Sequence, residues 1–126
     1  MQNYKDLLVW RKAHEFTLII YAVVATFPKE ETYNLTSQIK RSFSSIPTNI
    51  AEGCGRFTQN DFANFLQIAL GSSHELEYQL LLAKDLEFIQ NEKYLELEKL
   101  VGEIKAMLIS LIKRVRFNTF FKTLHF

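Results

Sequence analysis

The sequence predicts an all-α fold, an antiparallel up-and-down four-helix bundle, and two observations carry this prediction. Apolar residues recur every three or four positions in four long stretches, which is the period of one face of an α-helix. Only four Gly and two Pro interrupt the 126 residues, fewer than a turn-rich β-fold would need. Four stretches of similar length joined by short links favour helices that pack antiparallel to their neighbours.

The composition is that of one globular domain whose net charge gives no overall electrostatic attraction to polyanions. Hydrophobic residues make up 48% and charged residues 23%, and 15 Lys and Arg face 14 Asp and Glu, for a net charge of +1. Any binding to nucleic acid must therefore come from a local patch. The single cysteine, Cys54, cannot form an intrachain disulfide, which fits a cytoplasmic location. The longest apolar run, Leu18 to Ala25, is too short to span a bilayer, so no membrane association is expected.

The first helix is predicted from Asp6 to Thr26, with Asp6 as its N-cap because a carboxylate can accept from free backbone N–H groups. The pair Phe27-Pro28 should end it, since the residue before a proline is disfavoured in helical geometry. Its predicted apolar face comprises Trp10, Ala13, Phe16, Thr17, Ile20 and Val24.

The second helix is predicted from Thr32 or Asn34 to Gly53, and it contains a proline. Pro47 removes one backbone hydrogen bond and crowds the preceding turn, so we expect a kink near Phe43 to Pro47 or a division into two helices. Gly53 and Gly55 should close the element. Its predicted apolar stripe is Leu35, Ile39, Phe43, Ile46 and Ile50.

The third helix is predicted from Asn60 or Asp61 to Leu86. The small residues Gly71 to Ser73 interrupt it, and a glycine inside a helix costs about 1 kcal/mol relative to alanine, so we expect a neighbouring helix to approach closely there. Its core period runs through Phe62, Phe65, Leu66, Ala69, Leu70, Ser73, Leu76, Leu80 and Ala83.

The fourth helix is predicted from Asn91 to Arg116, which places the bundle domain at residues 1–116. Its inward face should comprise Leu97, Leu100, Val101, Ile104, Leu108, Leu111, Ile112 and Val115. Residues 117–126, FNTFFKTLHF, form a separate aromatic tail that is too apolar for a solvated end. The tail is interpreted either as a helix extension folded back on the bundle or as a contact between subunits.

A polar stripe runs beside the apolar one on the second helix, and ordinary amphipathicity does not require it. Buried charges need partners, so we expect Arg41 or Arg56 to pair with Glu75 or Glu52 at a helix or subunit interface. The alternative is a solvated face with loose surface pairs that contribute little stability. The predicted interface residues are Gln38, Arg41, Ser45, Asn49, Glu52, Arg56 and, on the third helix, Glu75.

Catalytic and metal chemistry are poorly supported, so neither an enzyme, nor a cofactor, nor a small-molecule substrate is predicted. His14-Glu15 and His74-Glu75 are adjacent pairs that face different directions on a helix, unlike the Glu-x-x-His of di-iron bundles. Cys54 has no histidine beside it in sequence and is interpreted as a small buried or turn residue.

Basic residues form local clusters that could contact phosphates. In an oligomer each patch would recur around the axis, so that a weak patch could become a multivalent phosphate-binding surface. A solvated face is the alternative for any one cluster. The candidate nucleic-acid contacts are Arg11, Lys12, Lys40, Lys113, Arg114 and Arg116.

The run SQIKRSFSSIPTNIAEGCGR, residues 37–56, resembles the signature segment of the family of 23S rRNA intervening-sequence proteins, which are four-helix bundles. Leu7-Leu8-Val9-Trp10, Phe27-Pro28-Lys29-Glu30-Glu31 and Phe62-x-x-Phe65-Leu66 resemble further segments of that family. The resemblance covers about residues 4–115. The family motif falls on Gln38, Arg41, Ser45, Ile46, Pro47, Asn49, Ile50, Glu52, Gly53, Arg56, Phe65, Gly71, Ser72 and Glu75.

The resemblance implies a bacterial, cytoplasmic bundle that assembles into a homo-oligomer, a pentameric ring in relatives of this kind. A similar bundle serves as the accessory protein of diversity-generating retroelements, but that relative is strongly basic and this chain is not. We therefore expect a non-enzymatic oligomeric scaffold or adaptor that binds itself and RNA or a nucleoprotein. The alternative is a protein–protein interaction module with no nucleic-acid role.

Overall fold

The computed structural model describes the backbone of residues 2–125 and the side chains of residues 2–117, and it contains four α-helices in that range. These are α1 (Leu8–Val24), α2 (Leu35–Cys54), α3 (Gln59–Asp85) and α4 (Asn91–His125). Two short 3-10 helices, Tyr4–Asp6 and Lys29–Glu31, precede α1 and α2. The all-α prediction is confirmed for the described residues. None of the helices among them combines the length and the hydropathy that a bilayer span requires.

The helices pack in an up-and-down order in which each one contacts the next and α4 returns to α1. Between α2 and α3, Ser45 contacts Ser72, whereas Ser42, which comes earlier in the chain, contacts Glu75, which comes later. Residues that meet in opposite order along the chain identify an antiparallel pair. The α2–α3 and α3–α4 packings are the most extensive, and α1 packs more closely on α2 than on α4.

The core is a single cluster of apolar side chains from all four helices. The predicted stripe of α2 is buried in full: Leu35, Ile39, Phe43, Ile46 and Ile50. Most predicted positions of α3 and α4 are buried too, whereas Phe65, Leu70, Leu100 and Leu111 are half-buried at the edge. Packing of these faces, rather than helix propensity, is the main source of stability in such a fold.

The start of α1 differs from the prediction. Asp6 does not cap α1, because it lies in the preceding 3-10 helix and Leu7 occupies the N-cap without a side-chain hydrogen bond. At the first position of the apolar face of α1, Val9 is buried, and not Trp10 as had been predicted. Trp10 is half-buried, and its ring stacks on that of His14 with the centroids 5.1 Å apart. The shift of one position rotates the buried face away from the indole.

Helix α2 runs through Pro47 as one element, so the division into two helices is wrong, and the kink stays a prediction. The helix ends at Cys54 with Gly55 as C-cap in right-handed geometry, φ −86°. Helix α4 continues to His125, past the predicted end at Arg116. The backbone of the predicted tail therefore continues α4 as a helix up to His125. Its side chains from residue 118 onward, and with them the fold-back and subunit-contact interpretations, lie outside the described residues.

The end of α3 is closed by a residue in the left-handed region. Glu87 has φ 66°, and the backbone N–H of Phe88 donates to the carbonyl of Ala83 at 2.8 Å. This six-to-one hydrogen bond is that of a Schellman motif, in which the left-handed position is usually glycine. A β-carbon at this φ is strained, so Glu87 is a local cost in the turn to α4.

Replacing Glu87 with Gly should raise the free energy of unfolding by about 1 kcal/mol, because glycine has no β-carbon to strain at this φ. Thermal unfolding should show a rise in Tm of about 3–5 °C. Glu87→Ala removes the same charge and keeps the β-carbon, so it should give little or no rise. Equal gains from both variants would show that charge, not backbone strain, is responsible.

Candidate functional site

A ladder of polar side chains joins α2 to α3 at the predicted polar stripe. The hydroxyl oxygens of Ser45 and Ser72 lie 2.8 Å apart, and the side-chain amide of Asn49 donates to both the carbonyl and the hydroxyl oxygen of Ser45 at 2.8 Å. Ser42, which is buried, donates to the carboxylate of Glu75. Because these polar groups serve as hydrogen-bond partners for one another, the ladder fixes the register of α2 against α3.

The charged residues of the stripe lie on the outside of this ladder. Arg41 and Glu75 are both exposed and form no ion pair with each other among the described residues, so the predicted pairing between them does not occur within the chain. Arg56, just beyond the end of α2, does pair with Glu52 at 3.2 Å, but such an exposed pair contributes little to stability. Gln38 is exposed as well. Their role at a subunit interface stays a prediction.

Gly53 lies where α2 and α3 approach closely, a role that its predicted place at the helix end did not indicate. A β-carbon there would lie 2.9 Å from the β-carbon of Phe65 and 3.3 Å from the backbone oxygen of Phe62. The close approach expected at Gly71 to Ser73 does not involve Gly71, because nothing lies within 4 Å of a β-carbon built there, whereas Ser72 does contact Ser45 of α2. Gly71 faces outward on α3, which a single-helix pattern could not reveal.

Replacing Gly53 with Ala should lower the free energy of unfolding by about 1–2 kcal/mol, because the strain of overpacking outweighs the gain in helix propensity. The matched control, Gly71→Ala, meets open space and should raise it by up to about 1 kcal/mol. Chemical denaturation of the two variants should thus give shifts of opposite sign. A stabilising Gly53→Ala would contradict the close packing of α2 on α3.

The start of the chain, the end of α2, the start of α3 and residue 116 of α4 lie at one end of the bundle. The backbone N–H of Gln2 donates to the carbonyl of Cys54 at 3.0 Å, which brings the chain start to the end of α2. Arg116 on α4 donates to Asn60 and Asn64 in the first turns of α3 at 3.2 and 3.1 Å. Arg114 lines a cavity with residues at the start of α1.

A division of the four helices near the level of the Ser45–Ser72 contact gives two halves of opposite charge, with the ion pairs Lys12–Glu103 and Lys105–Glu77 spanning the boundary. The basic half, residues 2–17, 45–72 and 105–117, contains eight Lys and Arg against four Asp and Glu. The acidic half, residues 18–44 and 73–104, contains six against ten. The net charge of the whole chain is therefore near zero because a net charge of +4 in the basic half is balanced by −4 in the acidic half.

The predicted nucleic-acid contacts fall mostly in the basic half. Arg11, Lys113 and Arg114 are exposed there. Lys12 forms a loose ion pair with Glu103 at 3.5 Å, with both side chains about two-fifths exposed. Lys40 is separate from this group, because it lies in the acidic half with its ammonium over the ring of Tyr21. Five of the six predicted residues thus lie in the basic half, where Arg116 contacts Asn60 and Asn64, and their role as nucleic-acid contacts stays a prediction.

The surroundings of Cys54 and His74 bear on the reactivity of these two side chains. Cys54 is buried, and burial raises the pKa of its thiol, which disfavours the nucleophilic thiolate. No group of three or more His, Cys, Asp or Glu among the described residues could hold a metal ion. His74 instead contacts the ammonium of Lys105 at 2.9 Å.

An apolar groove follows the looser junction of α1 with α4. Its widest part, a cavity of about 760 Å³, lies in the acidic half between the last turns of α1 and the segment that joins α3 to α4. A second cavity of about 350 Å³ lies in the basic half. The wider cavity is lined by Ile19, Ala22, Val23, Thr26, Glu87, Phe88, Ile89, Gln90 and Lys93.

Comparisons with known proteins agree with this fold. The chain is similar to a crystal structure of a protein of unknown function from the S23 ribosomal protein family of Bacteroides thetaiotaomicron VPI-5482, with 36% sequence identity and a TM-score of 0.79. The similarity covers 84% of this chain and 96% of the other. None of the curated proteins compared with the chain matches it. The family model described as 23S rRNA-intervening sequence protein matches residues 5–110. The chain therefore belongs to the 23S rRNA-intervening sequence protein family.

Proposed function

We propose that this protein is a non-enzymatic, self-associating adaptor whose basic half binds the phosphates of RNA, free or within a nucleoprotein. The observation that carries the proposal is the separation of charge along the bundle, with eight basic residues against four acidic ones in the basic half. Its exposed members Arg11, Lys113 and Arg114 come from two helices that the antiparallel fold brings to the same end. A surface of this kind attracts a polyanion although the whole chain is nearly neutral.

Assembly would strengthen such a surface. One basic half offers few phosphate contacts, but several copies held together bind one strand at high effective concentration. The proposed role requires only that the bundle present charge in a fixed arrangement, which the polar ladder and the packed core support.

The test is a titration of the purified protein with a labelled single-stranded RNA at two salt concentrations. Each phosphate contact to a single strand contributes about 0.7 to the slope of the logarithm of affinity against the logarithm of salt concentration. Three contacts should therefore give a slope near −2. An affinity that does not fall with salt would overturn phosphate binding, and sedimentation of the same sample would report self-association separately.

The second candidate, a protein–protein interaction module without a nucleic-acid role, is supported by the apolar groove between α1 and α4. Grooves of this kind accept the apolar face of a partner helix. Purification of the protein from nuclease-treated lysate distinguishes the two roles. A partner protein retained at defined stoichiometry, together with a flat salt titration against RNA, would favour the second candidate.

A further inference from the structure

We propose that a stack of aromatic rings at the start of α1, formed by Tyr4, Trp10 and His14 and called here the aromatic platform, binds the unpaired bases of a single RNA strand. This site deepens the proposed function, on which it rests, because it adds base contacts to phosphate contacts and so makes the ligand a single strand. Three observations carry it: the stacking of the rings, the exposure of the last ring and the cations beside them.

The rings of the aromatic platform form one continuous group on the surface of the basic half. The imidazole of His14 stacks on the indole of Trp10, with the centroids 5.1 Å apart and the two planes inclined by only 5°. The ring of Tyr4, from the first 3-10 helix, meets the indole edge-on with the centroids 4.7 Å apart. The indole is therefore fixed by two ring contacts, and the imidazole is the last ring of the stack.

The last ring of the stack is open to solvent. His14 is exposed although the indole covers one face of its ring, so the accessible part of the imidazole is its opposite face and its edges. Trp10 and Tyr4 are half-buried and do not belong to the buried core. A base that stacks on the open face of His14 continues the order of rings that begins at Trp10. Every base has a π-face, so such a contact tolerates any sequence.

Two exposed cations stand beside the aromatic platform. The ammonium of Lys5 lies 5.9 Å from the centroid of the Tyr4 ring. Arg11 precedes His14 by three positions, the spacing that makes two side chains neighbours on a helix surface. Neither Lys5 nor Arg11 forms an ion pair among the described residues. Both can therefore contact the phosphates on either side of a stacked base.

The acidic side chains nearest in sequence leave the aromatic platform accessible to a polyanion. Asp6 is the only acidic residue in residues 2–14, which contain three basic ones. Glu15 lies on the other flank of α1, where it lines a cavity with Lys12 and with Glu103 of α4. On α1 and the first 3-10 helix the rings are thus flanked by two cations and one carboxylate, a balance that favours a phosphate.

The first test compares His14→Ala with the original protein in titrations with a single-stranded RNA of adenosines at two salt concentrations. The variant should bind about tenfold more weakly, as expected for the loss of one stacking ring, and with the same salt slope, because no phosphate contact is lost. His14→Phe keeps a ring and should bind within about threefold of the original. The matched control, His74→Ala, removes an exposed histidine of the acidic half and should bind normally.

The second test uses the fluorescence of Trp10, which is the only tryptophan of the chain and reports on the aromatic platform directly. The single strand should change its emission, because a base placed on the stack displaces water from the surroundings of the half-buried indole. Inorganic polyphosphate has the charge but no bases, so it should bind in a salt-dependent way and leave the emission unchanged. A fully paired RNA should bind equally well to the original protein and to His14→Ala, because its bases already stack on one another.

Four outcomes would overturn the proposal. Equal affinity of His14→Ala and the original protein for the single strand would do so, while salt-dependent binding of polyphosphate would leave the proposed function standing. A shallower salt slope in His14→Ala would show that the side chain acts on phosphates and not on bases. Weaker self-association of His14→Ala in sedimentation velocity would assign the rings to a contact between subunits. Absence of any binding to RNA would overturn this proposal and the proposed function together.

Discussion

Replacing Lys113 and Arg114 together with Gln is expected to weaken RNA binding about 10- to 30-fold near 0.1 M salt. Both side chains are exposed at the basic end and form no ion pair within the described residues, so both are available to phosphates. Each lost contact to a single strand removes about 0.7 from the salt slope, which corresponds to roughly fivefold in affinity at that salt concentration. The double variant should therefore also bind with a slope that is shallower by about 1.4.

The matched control is Lys29→Gln with Lys99→Gln. It removes the same total charge from exposed positions of the acidic half and should change RNA affinity by less than about threefold. Equal losses in the two double variants would show that net charge, not the arrangement of charge, controls binding. Circular dichroism of both proteins confirms that the helices are intact, so that lost affinity is not lost structure.

The fold was predictable because each helix of this bundle carries its own period. The stripe of α2 was predicted residue by residue, since Leu35 to Ile50 repeat at helical spacing and every member is buried. The start of α1 was less predictable, because Val9 and Trp10 are both apolar neighbours and only the packing of α1 on α2 decides which is buried. Helix ends also depend on cap geometry, which is why Asp6 was misassigned.

The candidate site was predictable only in part, because its features arise between helices. The polar residues of α2 were recognised, but whether Glu75 meets Arg41 or Ser42 depends on the rotation of α3 relative to α2. The close approach at Gly53 depends on the same rotation. The separation of charge could not be read from the net charge of +1, because it depends on which residues the antiparallel order of the helices places at the same end.

Replacing Phe43 with Ala is expected to lower the free energy of unfolding by about 3–5 kcal/mol, the largest effect of a single substitution proposed for this protein. Phe43 is 0% exposed in α2 and its ring meets that of Tyr21 on α1 edge-on, with centroids 4.9 Å apart. Truncation removes the buried apolar surface, leaves a cavity between the two helices and ends the ring contact. Urea denaturation followed by circular dichroism measures the loss.

Trp10→Ala is the control variant, because it shows whether the loss of unfolding free energy follows the burial of the ring or its size. The indole is larger than the phenyl ring, so sequence alone predicts a loss of about 3–5 kcal/mol there if the indole is core. The half-buried Trp10 instead packs against Tyr4 and His14 at the surface, with its ring 4.7 Å from that of Tyr4. Its loss should be clearly smaller than that of Phe43→Ala, because only part of the indole is removed from water. A larger loss at Trp10 would mean that α1 is rotated relative to the core, with the indole inward and Val9 outward.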